Sequence, residues 1–218
     1  MHGYLSNGKA FNRQIEGLKN QFECFSPDLV GFGENKYMAH PYSLQDYANS
    51  VKKYMEENNI VKPFVVAHSF GARIALKMAS QEDVFSKMVL TGAAGLKPKK
   101  TIKKRFKIFW FNILKKFVKK EKLKGFYSSD YNSLTPVMQE SFKKIVNEHL
   151  DDNLKSINQQ VLLIFGEKDR ETPLDFAKRF NAGIKNSKLK IFKGAGHFCF
   201  LDKPLTFNME VREFFLSK

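Results

Sequence analysis

The sequence predicts an α/β fold built on a mostly parallel, doubly wound sheet. Three observations carry this. Short apolar runs alternate with amphipathic stretches along most of the chain, the rhythm of strands joined by helical crossovers. One run, Val161 to Phe165, is apolar at every position, as expected for a strand covered on both faces. The 218 residues contain no internal repeat and no low-complexity linker, and their length fits one domain with a sizeable core.

The elements follow in order. Lys9 to Asn20 reads as a helix, and Phe22 to Phe25 as a short strand that stops at Ser26-Pro27-Asp28. Ser43 to Asn58 is helical, because Leu44, Tyr47, Val51, Tyr54 and Met55 recur at three- and four-residue spacing. Phe64 to Ala67 is a strand, Gly71 to Ala79 a helix and Met88 to Thr91 a strand. Past a polar, partly helical stretch comes the strand Val161 to Phe165. Thr172-Pro173 then reads as an N-cap followed by proline at the first helical position, opening a helix to about Ala182. Leu189 to Phe192 is the last strand, and Pro204 opens a final helix to Phe215. Leu96 to about Gln160 is too long for a strand-to-strand connection and reads as a helical excursion or lid.

Composition bounds the function. Two cysteines, Cys24 and Cys199, imply no disulfide framework and suit a reducing compartment. No apolar run approaches the roughly 18 residues of a membrane span, and no basic-then-apolar leader opens the sequence. The formal charge of +15 is concentrated between Lys97 and Lys124, where twelve Lys and one Arg stand against one Glu, a net +12. Any electrostatic partner belongs to that segment.

The stretch Phe64 to Ala79 runs from a strand into Ala67-His68-Ser69-Phe70-Gly71 and straight out into a helix. That is the context of a nucleophile elbow, in which a serine takes an uncommon backbone conformation between small neighbours, here Ala67 and Gly71. The alternative is an ordinary turn serine. Two later loops favour the elbow. Asp169 follows one buried strand and His197 follows the next, flanked by Gly194 and Gly196. The order Ser…Asp…His, each after a strand, puts all three at the carboxyl edge of a parallel sheet. A serine nucleophile needs this company: a base to take its proton, and an acid to set the tautomer of the base.

With these motifs in place, the chain resembles the α/β-hydrolase superfamily over nearly its whole length. "HGYLSN" at the start looks like the family's oxyanion loop and "SPDLVGFGEN" like its Pro-Asp-x-x-Gly-x-Gly turn. The resemblance implies Ser69 as nucleophile, Asp169 as acid and His197 as base, with the backbone N–H groups of Phe70 and Tyr4 as the oxyanion hole. It implies a core over residues 1–95 and 160–218 with a helical cap over 96–159. A Ser in place of Asp at the elbow speaks against the dehalogenase and epoxide-hydrolase branches. His2 is expected to organise the oxyanion loop.

Other residues read as structural. His68 packs, Asp28 is a turn carboxylate, Asp202 caps the helix at Pro204, and His40 and His149 lie at the surface. Cys199, between Phe198 and Phe200, is a buried inert thiol. No His/Cys/Asp cluster has metal-ligand spacing, and Gly31-Phe32-Gly33 lacks the third glycine of a dinucleotide loop. The expectation is an enzyme without a cofactor.

The family places a buried strand directly before the His-Gly loop, beside the strand that leads to Ser69, whereas this sequence opens at Met1-His2-Gly3. The expectation is a sheet without its N-terminal strands, either because the sequence is shortened or because the sheet closes up another way. The former leaves room for a targeting signal in a longer form.

Within the insertion, Phe106, Phe109, Trp110 and Phe117 belong to an apolar face at helical spacing, with lysines over much of the other face. The bland reading is a cap whose aromatic face covers a substrate pocket. The sharper one is peripheral contact with an anionic membrane, for which lysines interleaved with Trp and Phe are the interfacial pattern. Nucleic acid is the weaker partner, since no base-reading motif accompanies the charge. The function expected is hydrolysis of a small-molecule carboxylic ester with an acyl or other apolar group, in the cytoplasm or at the membrane surface. The competing class is a non-catalytic hydrolase fold that binds anionic membranes. Thioester, amide and carbon–carbon bond cleavage use the same trio.

Overall fold

The computed structural model describes residues 1–98 and 134–217. A 3-10 turn, Gly8–Phe11, leads into α1 (Asn12–Leu18). Helix α2 (Leu44–Glu57) opens with a reciprocal cap between Ser43 and Asp46 and buries Leu44, Tyr47, Ala48 and Val51. Then come β1 (Phe64–His68), α3 (Phe70–Gln81) and β2 (Lys87–Thr91). After the undescribed part of the insertion lie α4 (Pro136–Asn147) and a 3-10 turn, Leu154–Ser156. The chain ends with β3 (Gln160–Gly166), α5 (Leu174–Gly183), β4 (Ser187–Phe192), the short α6 (Cys199–Asp202) and α7 (Pro204–Leu216). Boundaries match the sequence reading to within a residue or two, the ordinary fraying of element ends.

The four described strands pair in the order β1-β2-β3-β4, all parallel. Consecutive side chains point to opposite faces, and both faces are apolar. On β3, Val161, Leu163 and Phe165 join a core with α2, α3 and α5, while Leu162 and Ile164 join a second core with α1, α6 and α7. The sheet is therefore wound on both sides, and its middle strands need the continuous apolar runs seen in the sequence.

Phe22 to Phe25 is not a strand. Strand geometry needs a neighbouring ladder, and a groove lies between this segment and the outer edge of β1. Residues 134–159, the described part of the insertion, are anchored to the rest of the molecule through α4. Ser141 Oγ accepts from Tyr42 N at 2.8 Å, Tyr4 Oη donates to the Met138 carbonyl at 3.2 Å, and the Arg73 guanidinium donates to the Ile145 carbonyl. Phe106, Phe109, Trp110 and Phe117 lie outside the described residues.

Candidate active site

Parallel strands bring their carboxyl ends to one edge of the sheet, and three loops there carry the residues singled out by sequence. Ser69 directly follows β1 with φ 50° and ψ −105°, a left-handed region that L-residues rarely occupy. Such strain persists only when surroundings over-determine it. Here the Ser69 amide donates to the Thr91 carbonyl at 3.1 Å, and the Ser69 carbonyl accepts from Arg73 N at 3.2 Å and Ala94 N at 3.3 Å. The glycine at 71 has a steric reason: a Cβ there would lie 2.4 Å from the Met1 carbonyl oxygen and 2.7 Å from that of His2. Only glycine lets the N-terminal loop press onto the start of α3.

That loop borders the serine. A Cβ on Gly3 would stand 3.6 Å from Ser69 Cβ. His2, buried, organises it: the Leu29 amide donates to His2 Nε2 at 3.0 Å, so the proton sits on Nδ1, which faces the Gly3 carbonyl at 2.8 Å. Asp28 holds the same region by accepting from Gly8 N at 2.6 Å and Glu34 N at 2.7 Å. The Tyr4 side chain is wedged edge-on among Phe32, Phe70 and Phe142, with ring centroids 4.9 to 5.3 Å away. The N–H groups in the first turn of α3, beginning at Phe70, have no intrahelical acceptors and carry the positive end of the helix dipole toward the serine.

Asp169 and His197 meet, with Oδ2 2.8 Å from Nδ1. The loops that carry them are laced together by Glu167 N donating to the Phe192 carbonyl at 3.0 Å and Lys168 N to the Ala195 carbonyl at 2.8 Å. Glycine at 166 permits this, since a Cβ there would lie 2.1 Å from the Gly196 carbonyl oxygen. Burial pushes the Asp169 carboxyl up, but the bonds from His197 and Thr172 outweigh it and hold the group below the usual carboxylate range. An ionised Asp169 at Nδ1 selects the tautomer with its proton there, leaving Nε2 able to accept one.

Three residues have roles that the sequence reading missed or misread. Thr172 is not a helix cap. Its amide and hydroxyl donate to the two oxygens of Asp169, at 2.9 and 2.8 Å, joined by the Glu171 amide at 2.9 Å. Pro173 takes the capping position and α5 starts at Leu174. An Asp with a Thr three residues on is the sequence signal for such a turn. Asp202 does not cap α7, whose N-cap is Lys203. It accepts from Gly196 N at 2.8 Å and steadies the histidine loop. His68 does pack as expected, but it also touches the site: Nε2 donates to the His197 carbonyl oxygen at 3.1 Å, and the two rings stand 4.6 Å apart.

His40 is exposed, and His149 is half-buried. Cys199 is buried, and burial pushes its thiol up to about 11. Among the described residues no group of three His, Cys, Asp or Glu side chains is placed to hold a metal, and no helix is long and apolar enough to cross a membrane.

Comparison with known proteins agrees with the architecture. The family described as alpha/beta hydrolase fold matches residues 1–112, and one described as TAP-like protein matches residues 141–217. The uncharacterized hydrolase YugF of Bacillus subtilis is 26% identical over 239 residues, covering 98% of this chain and 88% of its own length. A 2-hydroxy-6-oxononadienedioate/2-hydroxy-6-oxononatrienedioate hydrolase of Pseudomonas putida is 27% identical, covering 94% of this chain and 81% of its own. Among solved structures, the esterase EaEST of Exiguobacterium antarcticum superposes with a TM-score of 0.79 at 23% identity, covering 100% of this chain and 90% of its own.

Proposed function

The chain belongs to the α/β-hydrolase family, and from that premise we propose that it is a serine hydrolase that cleaves a carboxylic ester with an acyl or other apolar group. The observation that carries the reading is the strained Ser69 at the β1–α3 corner, on the same sheet edge as the paired Asp169 and His197. Ser69 Oγ attacks the ester carbonyl while His197 Nε2 takes its proton. The oxyanion is held by the backbone N–H groups of Phe70 and Tyr4. His197 passes the proton to the leaving alcohol, and Asp169 stabilises the imidazolium formed on the way. Water, activated by the same histidine, then releases the acid and restores Ser69. No step calls for a cofactor.

The Pseudomonas relative favours a second reading, hydrolysis of a carbon–carbon bond by the same three side chains. Reaction with a fluorophosphonate tests the shared part. A single adduct on Ser69, abolished by Ser69→Ala, is expected, and labelling elsewhere in the folded protein would remove the assignment. Turnover of short p-nitrophenyl esters against that of a vinylogous 1,5-diketone then separates ester from carbon–carbon cleavage.

The basic segment adds a proposal about place. A net +12 between Lys97 and Lys124 suits peripheral contact with an anionic membrane, which would bring the enzyme to apolar substrates.

A further inference from the structure

Asp169 meets His197 at Nδ1 alone. One hydrogen bond sets the direction of that contact, but it leaves open how far the imidazole stands from the corner at Ser69. His68 spans this gap. It is the last residue of β1 and the direct neighbour of the serine. Its side chain is 2% exposed, and each ring nitrogen bears on a loop of the site. Nε2 lies 3.1 Å from the backbone carbonyl oxygen of His197. A carbonyl only accepts, so the proton of His68 sits on Nε2. Nδ1 lies against the N-terminal loop: a Cβ on Gly3 would stand 2.8 Å from it and 3.6 Å from Ser69 Cβ.

The pose of this ring is closely determined. The rings of His197, Phe198 and Phe200 surround it, with centroids 4.6, 4.9 and 5.0 Å away. The backbone beneath it is locked as well. His68 stands in register with Thr91 of β2, and the Ser69 amide donates to the Thr91 carbonyl at 3.1 Å. The serine and the anchor of the histidine are consecutive residues on one rigid corner, so neither shifts without the other. Gly92, with φ 50°, bounds His197 on another side: a Cβ there would lie 3.0 Å from its Nδ1 and 3.1 Å from its Cε1. Charge fits the same role. Burial, with His197 adding to it, drives the pKa of His68 down to about 3, so the ring is neutral near pH 7. A cationic side chain in its place would oppose the charge that His197 gains on taking the serine proton.

We propose that His68 is a positioning residue of the hydrolytic site: its Nε2–H, bonded to the His197 carbonyl, sets the base at working distance from Ser69 while the same ring bears on the loop at Gly3. This rests on the hydrolase reading. His68 handles neither the substrate nor the transferred proton, so its effect runs through His197. Loss of the donor therefore slows turnover and leaves substrate binding in place. A side chain that returns an N–H to the same point restores the rate. Glutamine does so, because its amide nitrogen stands as many bonds from Cα as Nε2 of histidine. Leucine fills the space and has no donor. A side chain that served packing alone would give the reverse ranking, since leucine suits a wedge between Phe198 and Phe200 better than an amide does.

Wild type, His68→Gln and His68→Leu test it. Hydrolysis of a short p-nitrophenyl ester and the rate of fluorophosphonate adduct formation on Ser69 are read on each, with Tm as the folding control. His68→Leu is expected to lower kcat and the labelling rate by about tenfold to a hundredfold, with KM within about twofold of wild type. His68→Gln is expected to return both rates to within about fivefold of wild type. An unimpaired His68→Leu, a loss confined to KM, or a leucine variant faster than the glutamine one overturns the proposal. A second measurement needs no variant: the ring-nitrogen NMR shifts of wild-type His68 near neutral pH should show a proton on Nε2 alone, and a proton on Nδ1 overturns the proposal equally. A folded wild type with neither turnover nor an adduct on Ser69 sinks the hydrolase reading, and the role of His68 with it. An active wild type beside an unimpaired His68→Leu sinks the role of His68 alone.

Discussion

The Thr172 hydroxyl donates at 2.8 Å to Asp169 Oδ2, the same oxygen that faces His197 Nδ1. One carboxylate oxygen thus serves two donors, and the other takes the amides of Glu171 and Thr172. The acid is held in place from all sides, so its orientation does not depend on the histidine. Replacing Thr172 by Val keeps the shape and removes one charge-assisted bond. The expected result is a fall in kcat of about tenfold with little change in KM, restored by Thr172→Ser. Failure of serine to rescue would mark the role as packing alone.

Asp169→Asn is expected to fold normally and to lose about two to four orders of magnitude in kcat, because an amide can leave His197 in the wrong tautomer. Steady-state kinetics on a p-nitrophenyl ester, with circular dichroism as the folding control, check this. A near-normal rate would move the acid role elsewhere. Glu167 is a poor substitute, since it already accepts from Gly194 N at 2.8 Å.

His68 predicts an acid limb in stability. Desolvation, with the neighbouring His197 adding to it, drives its pKa from 6.5 down to about 3. Between those values the unfolded chain binds a proton that the folded chain excludes, so His68 supports folding fully above about pH 6.5 and loses that support as pH falls toward 3. The loss amounts to about 2 kcal/mol between pH 7 and pH 5. Urea melts of the wild type and His68→Gln at both pH values measure it. The wild type should lose more than the variant, and equal losses would remove the assignment.

The charged segment carries a prediction of its own. Each Lys or Arg near an anionic surface contributes about 1 kcal/mol, screened by salt, so four or five engaged lysines are enough to detect. Flotation with phosphatidylglycerol vesicles is expected at low salt and not at high salt. The fluorescence of Trp110, the sole tryptophan, should shift to the blue on binding. No flotation at low salt would leave the lysines as a solvated surface.

The strands that carry the site are legible because burial on both faces writes itself as unbroken apolar runs: Met88 to Leu90 and Val161 to Phe165 have no other good reading. The strained corner at Ser69 is legible because a strand runs straight into a helix there with Ala67 and Gly71 on either side, and Gly71 leaves room for the N-terminal loop. Phe22 to Phe25 has the pattern of a strand and misleads, since pattern reports a side chain's surroundings and not whether the backbone has a partner. Thr172-Pro173 misleads in the opposite way. Its spacing fits two local hydrogen-bond patterns, a helix cap and a turn on Asp169, and only the tertiary need to hold the acid decides between them. Asp202 is the same case: its bond to Gly196 spans six residues, beyond any capping rule.

Helix α4 works as a brace. Near one end it takes the Tyr4 hydroxyl at Met138; near the other it takes Arg73 of α3 at Ile145, and just beyond it Glu148 pairs with Lys77 of α3 at 2.8 Å. The loop carrying the Tyr4 amide and the helix that starts just after Ser69 therefore share one strut. A load applied to α4 by a bulky substrate reaches both together. In such a linkage, fit and rate are not separate dials: substitutions along α4 should move KM and kcat in step, and a variant that widens substrate range should lose turnover on the original substrate.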